Sequence, residues 1–285
     1  MRPLLLAILS LLTMAGRGGP ADGAQSWRTL TASRPRGIVD SLRVIVRYDA
    51  GRVSVGAASA PLLYDVRARF DANEQRLSRS YDASTRTLHI GIDSAMHSSA
   101  HASSGSREHG RLDLGLASGI PLDLDLDLGA TRAVLDLGSL WVDEMHVSSG
   151  ATETELTFGS LNPQPMRDLF VDAGVGSVTI RQLGNARAEH ASISSTVGSV
   201  DLDLGGAWAG EMPLTLRVAL GSATLRVPRD AGIALRLSRR FANVDSEGFT
   251  VRDGVYYSTG YEQAKRHIVV DGRATLATVE IIWKE

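Results

Sequence analysis

The sequence predicts an all-β protein folded as a β-solenoid, in which short strands joined by tight bends stack on one another. Five aligned copies of one pattern begin at Gly129, Gly150, Gly174, Thr196 and Ala219, at intervals of 21, 24, 22 and 23 residues. Apolar residues alternate with polar ones on both sides of each start, and a small residue follows each start by two positions. Self-similarity at a fixed period of roughly 20–50 residues is typical of stacked repeats.

The alternation within each copy predicts two strands that share one buried face. In the copy at Ala219, Leu216 and Val218 precede the start, whereas Ala223 and Leu225 follow it in the opposite parity. A period of two indicates strands with one face in the core, and the change of parity requires a bend between them. Small residues suit such a bend, and they are Thr131, Thr152, Gly176, Gly198 and Gly221. The second strand of each copy points an aliphatic residue inward: Leu135, Leu156, Ile180, Leu202 and Leu225.

Further copies extend the pattern over most of the chain. Residues 44–55 carry one upstream copy, with its bend at residues 49–51. A weaker copy closes the chain, with Val279, Ile281 and Trp283 in the inward register. Six matches in one register favour stacked β-repeats over a generic β-sandwich, which is the alternative all-β fold.

Irregular segments interrupt the repeats. Gln182 and Ser195 break the apolar alternation, so the predicted core is not regular throughout. Residues 161–167 contain two prolines and predict a loop between copies. Helix is nearly absent from the prediction, apart from one turn over residues 262–267.

Residues 1–24 predict a secretory signal peptide. Arg2 gives a positive start, residues 4–15 are mostly apolar, and small residues such as Ala21 and Gly23 follow. The apolar run is shorter than the ~20 residues of a membrane-spanning helix, and the order of features is that of an export signal. A buried N-terminal helix is the alternative. We therefore expect an exported protein, periplasmic or extracellular, without stable membrane insertion after removal of the signal.

A segment rich in serine, glycine and histidine at residues 93–110 predicts a linker. It would separate an N-terminal β-domain, residues 25–110, from a β-solenoid repeat domain, residues 111–285. The chain contains no cysteine, so it has neither a disulfide nor a cysteine for lipid attachment. A mature chain of this length can bury a substantial core without such staples.

The linker also holds a candidate metal site. His97 and His101 are four residues apart, with Glu108 and His109 nearby. Two histidines at this spacing on a helix can bind zinc. No helical apolar pattern surrounds them, however, and the glutamate of the metalloprotease motif is missing. A solvated linker is therefore the favoured interpretation, and we expect no metal ligand here.

Composition and motifs argue against nucleic-acid binding and against familiar catalytic machinery. Without residues 1–24 the formal net charge changes from −2 to −3, because two arginines and one aspartate are lost. Mixed charges near neutrality do not form a phosphate-binding footprint. The sequence has no nucleophile elbow, phosphate-binding loop or serine–histidine–aspartate context. We expect no catalytic residue and no cofactor.

Two acidic ladders are the most conspicuous polar feature. Asp123, Asp125 and Asp127 alternate with leucines in one predicted strand, and Asp201 and Asp203 do so in another. Outward carboxylates can bind Ca²⁺ or catalyse glycoside hydrolysis, and they also keep strand edges from pairing. The glycine-rich nonapeptides of calcium-binding repeats are absent. We favour a solvated outer face, with weak cation binding and catalysis as alternatives.

Several segments resemble the bacterial toast-rack family. The strand pair at residues 44–55, the bend at residues 172–180 and the segment from residue 247 to residue 268 carry the resemblance, which covers residues 40–285. The family, with its relatives among cell-wall-active antibiotic response and adhesin-like proteins, implies a single-layered right-handed β-helix and a role in the cell envelope. It implies no catalytic residue.

Two functional hypotheses follow. The favoured one is a non-enzymatic exported protein of the cell envelope, whose solenoid surface binds another envelope protein or a cell-wall polymer, because solenoids offer extended surfaces. The alternative is a carbohydrate-active β-helix enzyme that uses carboxylates such as Asp125 and Asp203. The sequence identifies neither the ligand nor the partner.

Overall fold

A computed structural model of the chain describes residues 26–94, 110–239, 243–244 and 248–284. These residues form an all-β, solenoid-like structure with one sixteen-stranded sheet. The strands are β1 (Trp27–Pro35), β2 (Leu42–Ala57), β3 (Leu62–Asp71), β4 (Gln75–Asp82), β5 (Thr87–Ser94), β6 (Arg111–Leu116), β7 (Pro121–Asp136), β8 (Trp141–Thr157), β9 (Met166–Arg181), β10 (Ala188–Asp203), β11 (Gly210–Pro228), β12 (Ala231–Arg239), β13 (Asn243–Val244), β14 (Phe249–Arg252), β15 (Val255–Ser258) and β16 (Arg266–Lys284). The helices in these parts of the chain are 3-10 turns, Leu183–Ala186 and Tyr261–Gln263, and neither is long and apolar enough to cross a membrane.

Seven long strands stack in parallel and form the body of the molecule. Their order is β2, β7, β8, β9, β10, β11 and β16. Antiparallel strands lie at both ends: β1 and β3 beside β6 at one end, and β15 and β14 beside β12 at the other. The pair β4–β5 joins the sheet along the first half of β2. The prediction of an all-β solenoid-like fold is confirmed.

The register of the parallel strands confirms the repeat intervals. Leu128 pairs with Ser149, Ser149 with Ala173, Ala173 with Ser195, and Ser195 with Val218. Each of these residues immediately precedes one of the predicted starts, so the offset between neighbouring strands equals the interval between neighbouring copies. The starts of the copies therefore lie side by side along the stack.

The predicted inward face forms the core. The aliphatic residues six positions after each start have no exposed surface: Leu135, Leu156, Ile180, Leu202 and Leu225. On each strand, the residues directly before and after this aliphatic residue are half-buried or exposed. This is expected where successive side chains point to opposite faces of a sheet. Burying one such side chain contributes about 1.5–3 kcal/mol to stability, so this repeated position is a main source of the stability of the stack.

Each long strand bends in its middle without leaving the sheet. Between β10 and β11 the ladder runs on both sides of the bend and omits only Thr196 and Ala219. Gly198 has a φ of 140°, and a Cβ there would lie well inside van der Waals contact of the Gly176 carbonyl oxygen. The bend therefore needs glycine at this position. The two short strands predicted for each copy are joined into one bent strand of 16 to 19 residues.

The upstream and closing copies join the stack in the predicted register. Tyr48 pairs with Leu128, so β2 lies directly beside β7 although four other strands separate them in the chain. At the other end Leu225 pairs with Ile281 across β11 and β16. The division of the chain into two domains at residue 110 stays a prediction.

Two buried asparagines, which no pattern in the sequence indicated, stabilise the turns between units. Asn162 accepts the Val142 backbone N–H at 3.1 Å and donates to the Val142 carbonyl at 2.7 Å. Asn185 donates to the Phe158 carbonyl at 2.7 Å and accepts the Ala207 backbone N–H at 2.7 Å. Because the Asn162 N–H donates to the Asn185 carbonyl at 2.8 Å, the two turns lie on top of each other.

The predicted irregular positions have distinct structural reasons. Gln182 has a left-handed φ of 54° and precedes the first 3-10 turn. Ser195 is buried at an inward position, and its hydroxyl has no hydrogen-bond partner among the described residues. The helical turn predicted over residues 262–267 is the 3-10 turn Tyr261–Gln263, and β16 begins at Arg266.

Candidate binding surface

The two acidic ladders lie on the outer face of the stack. On β7, Asp123 and Asp125 are half-buried and Asp127 is exposed, each between buried leucines. On β10, Asp201 and Asp203 are half-buried. The strands β8 and β9 lie between the two ladders, and the ladders occupy opposite sides of the bend.

A β-bulge in β8 gathers further acids around the first ladder. The register between β7 and β8 shifts at Leu122 and Asp123, which leaves Asp143 as an extra residue on β8. Arg167 on β9 lies 2.9 Å from Asp143, 3.1 Å from Glu144 and 3.5 Å from Asp123. One guanidinium thus forms ion pairs with three carboxylates, because its five N–H donors point in several directions in one plane.

Asp123 is the carboxylate that this arrangement perturbs. Burial raises its pKa, Arg167 lowers it, and the neighbouring Asp143 and Glu144 raise it again, with a net direction upward. Desolvation and like charges both disfavour the ionised form. Asp123 therefore lowers stability at neutral pH, where it is ionised, relative to acidic pH.

The second ladder is neutralised by basic residues from later strands. Arg226 donates to both oxygens of Asp201, at 2.9 and 2.7 Å, and this hydrogen bonding raises the pKa of Arg226. Asp203 accepts hydrogen bonds from Lys284 Nζ at 2.7 Å and from the Gly205 N–H at 2.9 Å. Its side chain is 17% exposed, so Asp203 is more enclosed than a solvated outer face implies.

Asp125 and Asp203 do not form a carboxylate pair. Asp125 lies beside His146, His146 beside Phe170, and Phe170 beside Ser192 on β10. Asp203 lies on the other side of the bend in that strand. Three inter-strand spacings alone amount to about 14 Å, whereas the two carboxylates of a glycosidase lie about 5–9.5 Å apart.

The described residues contain no group of three or more histidine, aspartate or glutamate side chains that could hold a metal ion. His97, His101, Glu108 and His109 lie outside the described residues. The solvated linker therefore stays a prediction.

A contiguous row of exposed aliphatic side chains runs along the bend. Val175 pairs with Val197, Val197 with Leu220, and Leu220 with Leu276, on four neighbouring strands. Their exposed fractions are 54, 39, 45 and 53%. These four residues form the aliphatic ridge. At about 4.8 Å per strand, the ridge is about 14 Å long.

The ridge was not predicted, although the sequence contains its signal. It occupies the position one residue after each repeat start, where Ala130 and Ala151 fill the first two copies. The predicted repeat rests on apolar residues of the inward parity, whereas this position has the outward parity of the strand that follows the start. The recurrence of an apolar residue at this outward position in successive copies would have indicated the ridge.

A cavity of about 550 Å³ lies at the turns that follow the strands, and Trp208 lines it. The indole N–H of Trp208 donates to the Leu204 carbonyl at 3.4 Å, and the Arg266 guanidinium lies 5.1 Å from the indole ring centroid. Trp208 is only 7% exposed. The cavity therefore offers no open aromatic face on which a sugar could stack.

One family model and several solved structures resemble the chain. The N-terminal domain of toast_rack, DUF2154, matches residues 27–181, from the first residue of β1 to the last residue of β9. None of the curated proteins matches. A candidate cell adhesion protein from Clostridium sporogenes is 16% identical over 92% of this chain and 100% of that chain, with a TM-score of 0.44. A candidate adhesin from Bacteroides fragilis is 11% identical over 91% and 98% of the two chains, with a TM-score of 0.37. Because the family model matches more than half of this chain, the chain belongs to the toast_rack family.

Proposed function

We propose that the protein is a non-enzymatic, exported protein of the cell envelope, whose solenoid surface binds another envelope protein or a cell-wall polymer. The aliphatic ridge is the observation that carries this proposal. Single exposed apolar side chains are normal on soluble proteins, but four in one contiguous row suit a surface that a partner covers. The proposal includes a single-layered, right-handed β-helix.

The ridge is a rigid surface. Its residues belong to strands that pair on both sides of the bend, and the glycines beside them pack backbone against backbone. A preorganised surface loses little conformational entropy on binding. A stiff row of this kind suits an extended partner that lies along the stack.

Charge introduction on the ridge tests the binding surface. We expect Val197→Glu with Leu220→Glu to abolish retention of the purified protein on isolated envelope fragments, at an unchanged melting temperature, because these side chains are exposed. The matched control is Ser199→Glu with Ser222→Glu, two exposed residues on the same strands. Equal retention of both variants would exclude the ridge as the contact.

Export rests on residues 1–24 and has its own test. Residues 1–30 fused to a reporter that is active only outside the cytoplasm should give activity. Leu5→Arg with Leu9→Arg interrupts the apolar run and should abolish that activity. An inactive reporter with the unmodified segment would contradict export.

The non-enzymatic part of the proposal is supported by the acidic ladders. Asp201 and Asp203 are held by Arg226 and Lys284, and Asp125 lies too far from Asp203 to act with it. A screen for depolymerisation of polysaccharides should be negative. Activity that Asp125→Asn abolishes would support the enzymatic alternative.

A further inference from the structure

Four arginines stand side by side on the outer face of four neighbouring strands. Arg69 on β3 pairs with Arg111 on β6, Arg111 with Arg52 on β2, and Arg52 with Arg132 on β7. Arg52, Arg111 and Arg132 are exposed and Arg69 is half-buried. These four residues form the arginine row, which spans about 14 Å at the usual inter-strand spacing.

Electrostatic repulsion between the neighbouring arginines destabilises the sheet, and the fold does not require arginine at these outward positions. Like charges directly opposite each other destabilise a sheet, and here three consecutive pairs are alike. Carboxylates reach the two neighbours of Arg52: Asp113 lies 2.8 Å from Arg111, and Glu153 lies 3.2 Å from Arg132. Arg52 itself has no ion-pair partner among the described residues. An external anion would supply the missing countercharge.

The side chains around Arg52 shape a recess for such a ligand. An open cavity of about 340 Å³ is lined by Arg52, Val53, Ser54, Arg111, Arg132 and Val134. Guanidinium groups bind carboxylate and phosphate groups through paired N–H donors. Val134 is 44% exposed, so an apolar side chain borders the cationic groups. Charged donors beside an apolar side chain suit a sugar that bears an anionic group.

We propose that the arginine row binds an acidic polysaccharide through carboxylate or phosphate groups repeated along the polymer. A single small anion reaches only part of the row, whereas a polymer laid across the strands meets the exposed guanidinium groups of Arg111, Arg52 and Arg132 in turn. The proposal deepens the envelope role proposed above and rests on it only for the source of the polymer. Glu153 follows Arg132 in the same row, so the basic surface ends at β8.

Binding of defined polymers tests the site. The probes are polygalacturonate for carboxylates, polyphosphate for phosphates, dextran as an uncharged polymer and a DNA duplex as a polyanion of another class. Each is titrated calorimetrically at low and high salt. We expect salt-sensitive binding of at least one anionic polymer and none of dextran. Arg52→Ala should weaken binding about tenfold, since charge-assisted hydrogen bonds are lost. Its melting temperature should not fall, because the substitution removes like-charge repulsion.

Arg47→Ala is the matched control, because Arg47 is exposed on the same strand on the other side of the bend. It should leave the affinity within about twofold. Equal weakening by both variants, no binding of either anionic polymer, or equally tight binding of a DNA duplex would each overturn the proposal. If the anionic polymers fail to bind while the ridge variant still loses envelope retention, the arginine row is excluded and the proposed function stands.

Discussion

Leu202 and Asp203 are consecutive residues of β10 with opposite surroundings. Leu202 has no exposed surface, and it packs in the column of inward residues that runs through the stack. Asp203 points outward and holds Lys284 at 2.7 Å. The contrast between two neighbours makes this position a sensitive test of the strand register, because a slip of one residue would exchange their environments.

Truncation of Leu202 should cost more stability than truncation of Asp203. Leu202→Ala removes buried methyl groups and leaves a cavity, at a cost of about 2–5 kcal/mol. Asp203→Ser loses partly exposed hydrogen bonds to Lys284 and Gly205, at a cost of about 1 kcal/mol. Urea denaturation of both variants measures the difference. The opposite order would show that the register of β10 is wrong.

The same two residues mark what the sequence can predict at this scale. Leu202 was predicted to be inward because alternation is a local property, readable from its own strand. The partner of Asp203 was not predicted, since Lys284 lies far along the chain, on the last strand, and no local pattern connects them. The aliphatic ridge was not recognised because a single exposed valine or leucine is ordinary, and only the recurrence of such a residue one position after successive repeat starts indicates a surface.

At the scale of elements, the bulge in β8 interrupts the regular pairing of the strands and changes the electrostatics around it. It places Asp143 and Glu144 next to Asp123, and Arg167 from the following strand lies against all three. The sequence predicted β8 as one of the repeat copies, because the apolar positions after the bulge keep their alternation. The bulge was not predicted, although its sign lies in the sequence: the buried residues Val142 and Met145 are three positions apart, so the inward parity changes between them.

Neutralising Asp123 should stabilise the protein at neutral pH and not at acidic pH. The pKa of Asp123 is raised in the fold, so its stabilising protonated form is fully present below the ordinary carboxyl pKa of about 4. That stability is lost as the pH rises through the raised value. We therefore expect Asp123→Asn to raise the melting temperature at pH 7 and to lose this gain near pH 3.

Asp127→Asn is the control for this pH dependence. Asp127 is an exposed residue of the same strand, so its substitution should change the melting temperature little at either pH. A gain for Asp123→Asn that is equal at both pH values would show that the buried charge of Asp123 is not its cause.

At the scale of the whole molecule, the order of strands in space differs from their order in the chain. β2 pairs along its length with β7, and the strands β3, β4, β5 and β6 lie between them in sequence. The sequence identified residues 44–55 as a repeat copy, because the pattern is local. It could not identify β7 as the neighbour of β2, since the partners are distant in the chain and the intervening strands have no fixed period.

This strand order gives the predicted boundary at residue 110 a physical test. Residues 111–285 expressed alone would lack β2 and β3. One edge of β7 would then lose its partner β2, and β6 would lose both of its neighbours, β2 and β3. The free edge of β7 would expose a row of backbone N–H and C=O groups, which promotes edge-to-edge association. We expect oligomers by size-exclusion chromatography and a lower melting temperature by circular dichroism. The control is residues 25–285, which keeps all the strands from β1 onward and should remain monomeric. If residues 111–285 form a monomer that melts like the longer control, the repeat domain folds on its own, and the pairing of β2 with β7 contributes little to the stability of the stack.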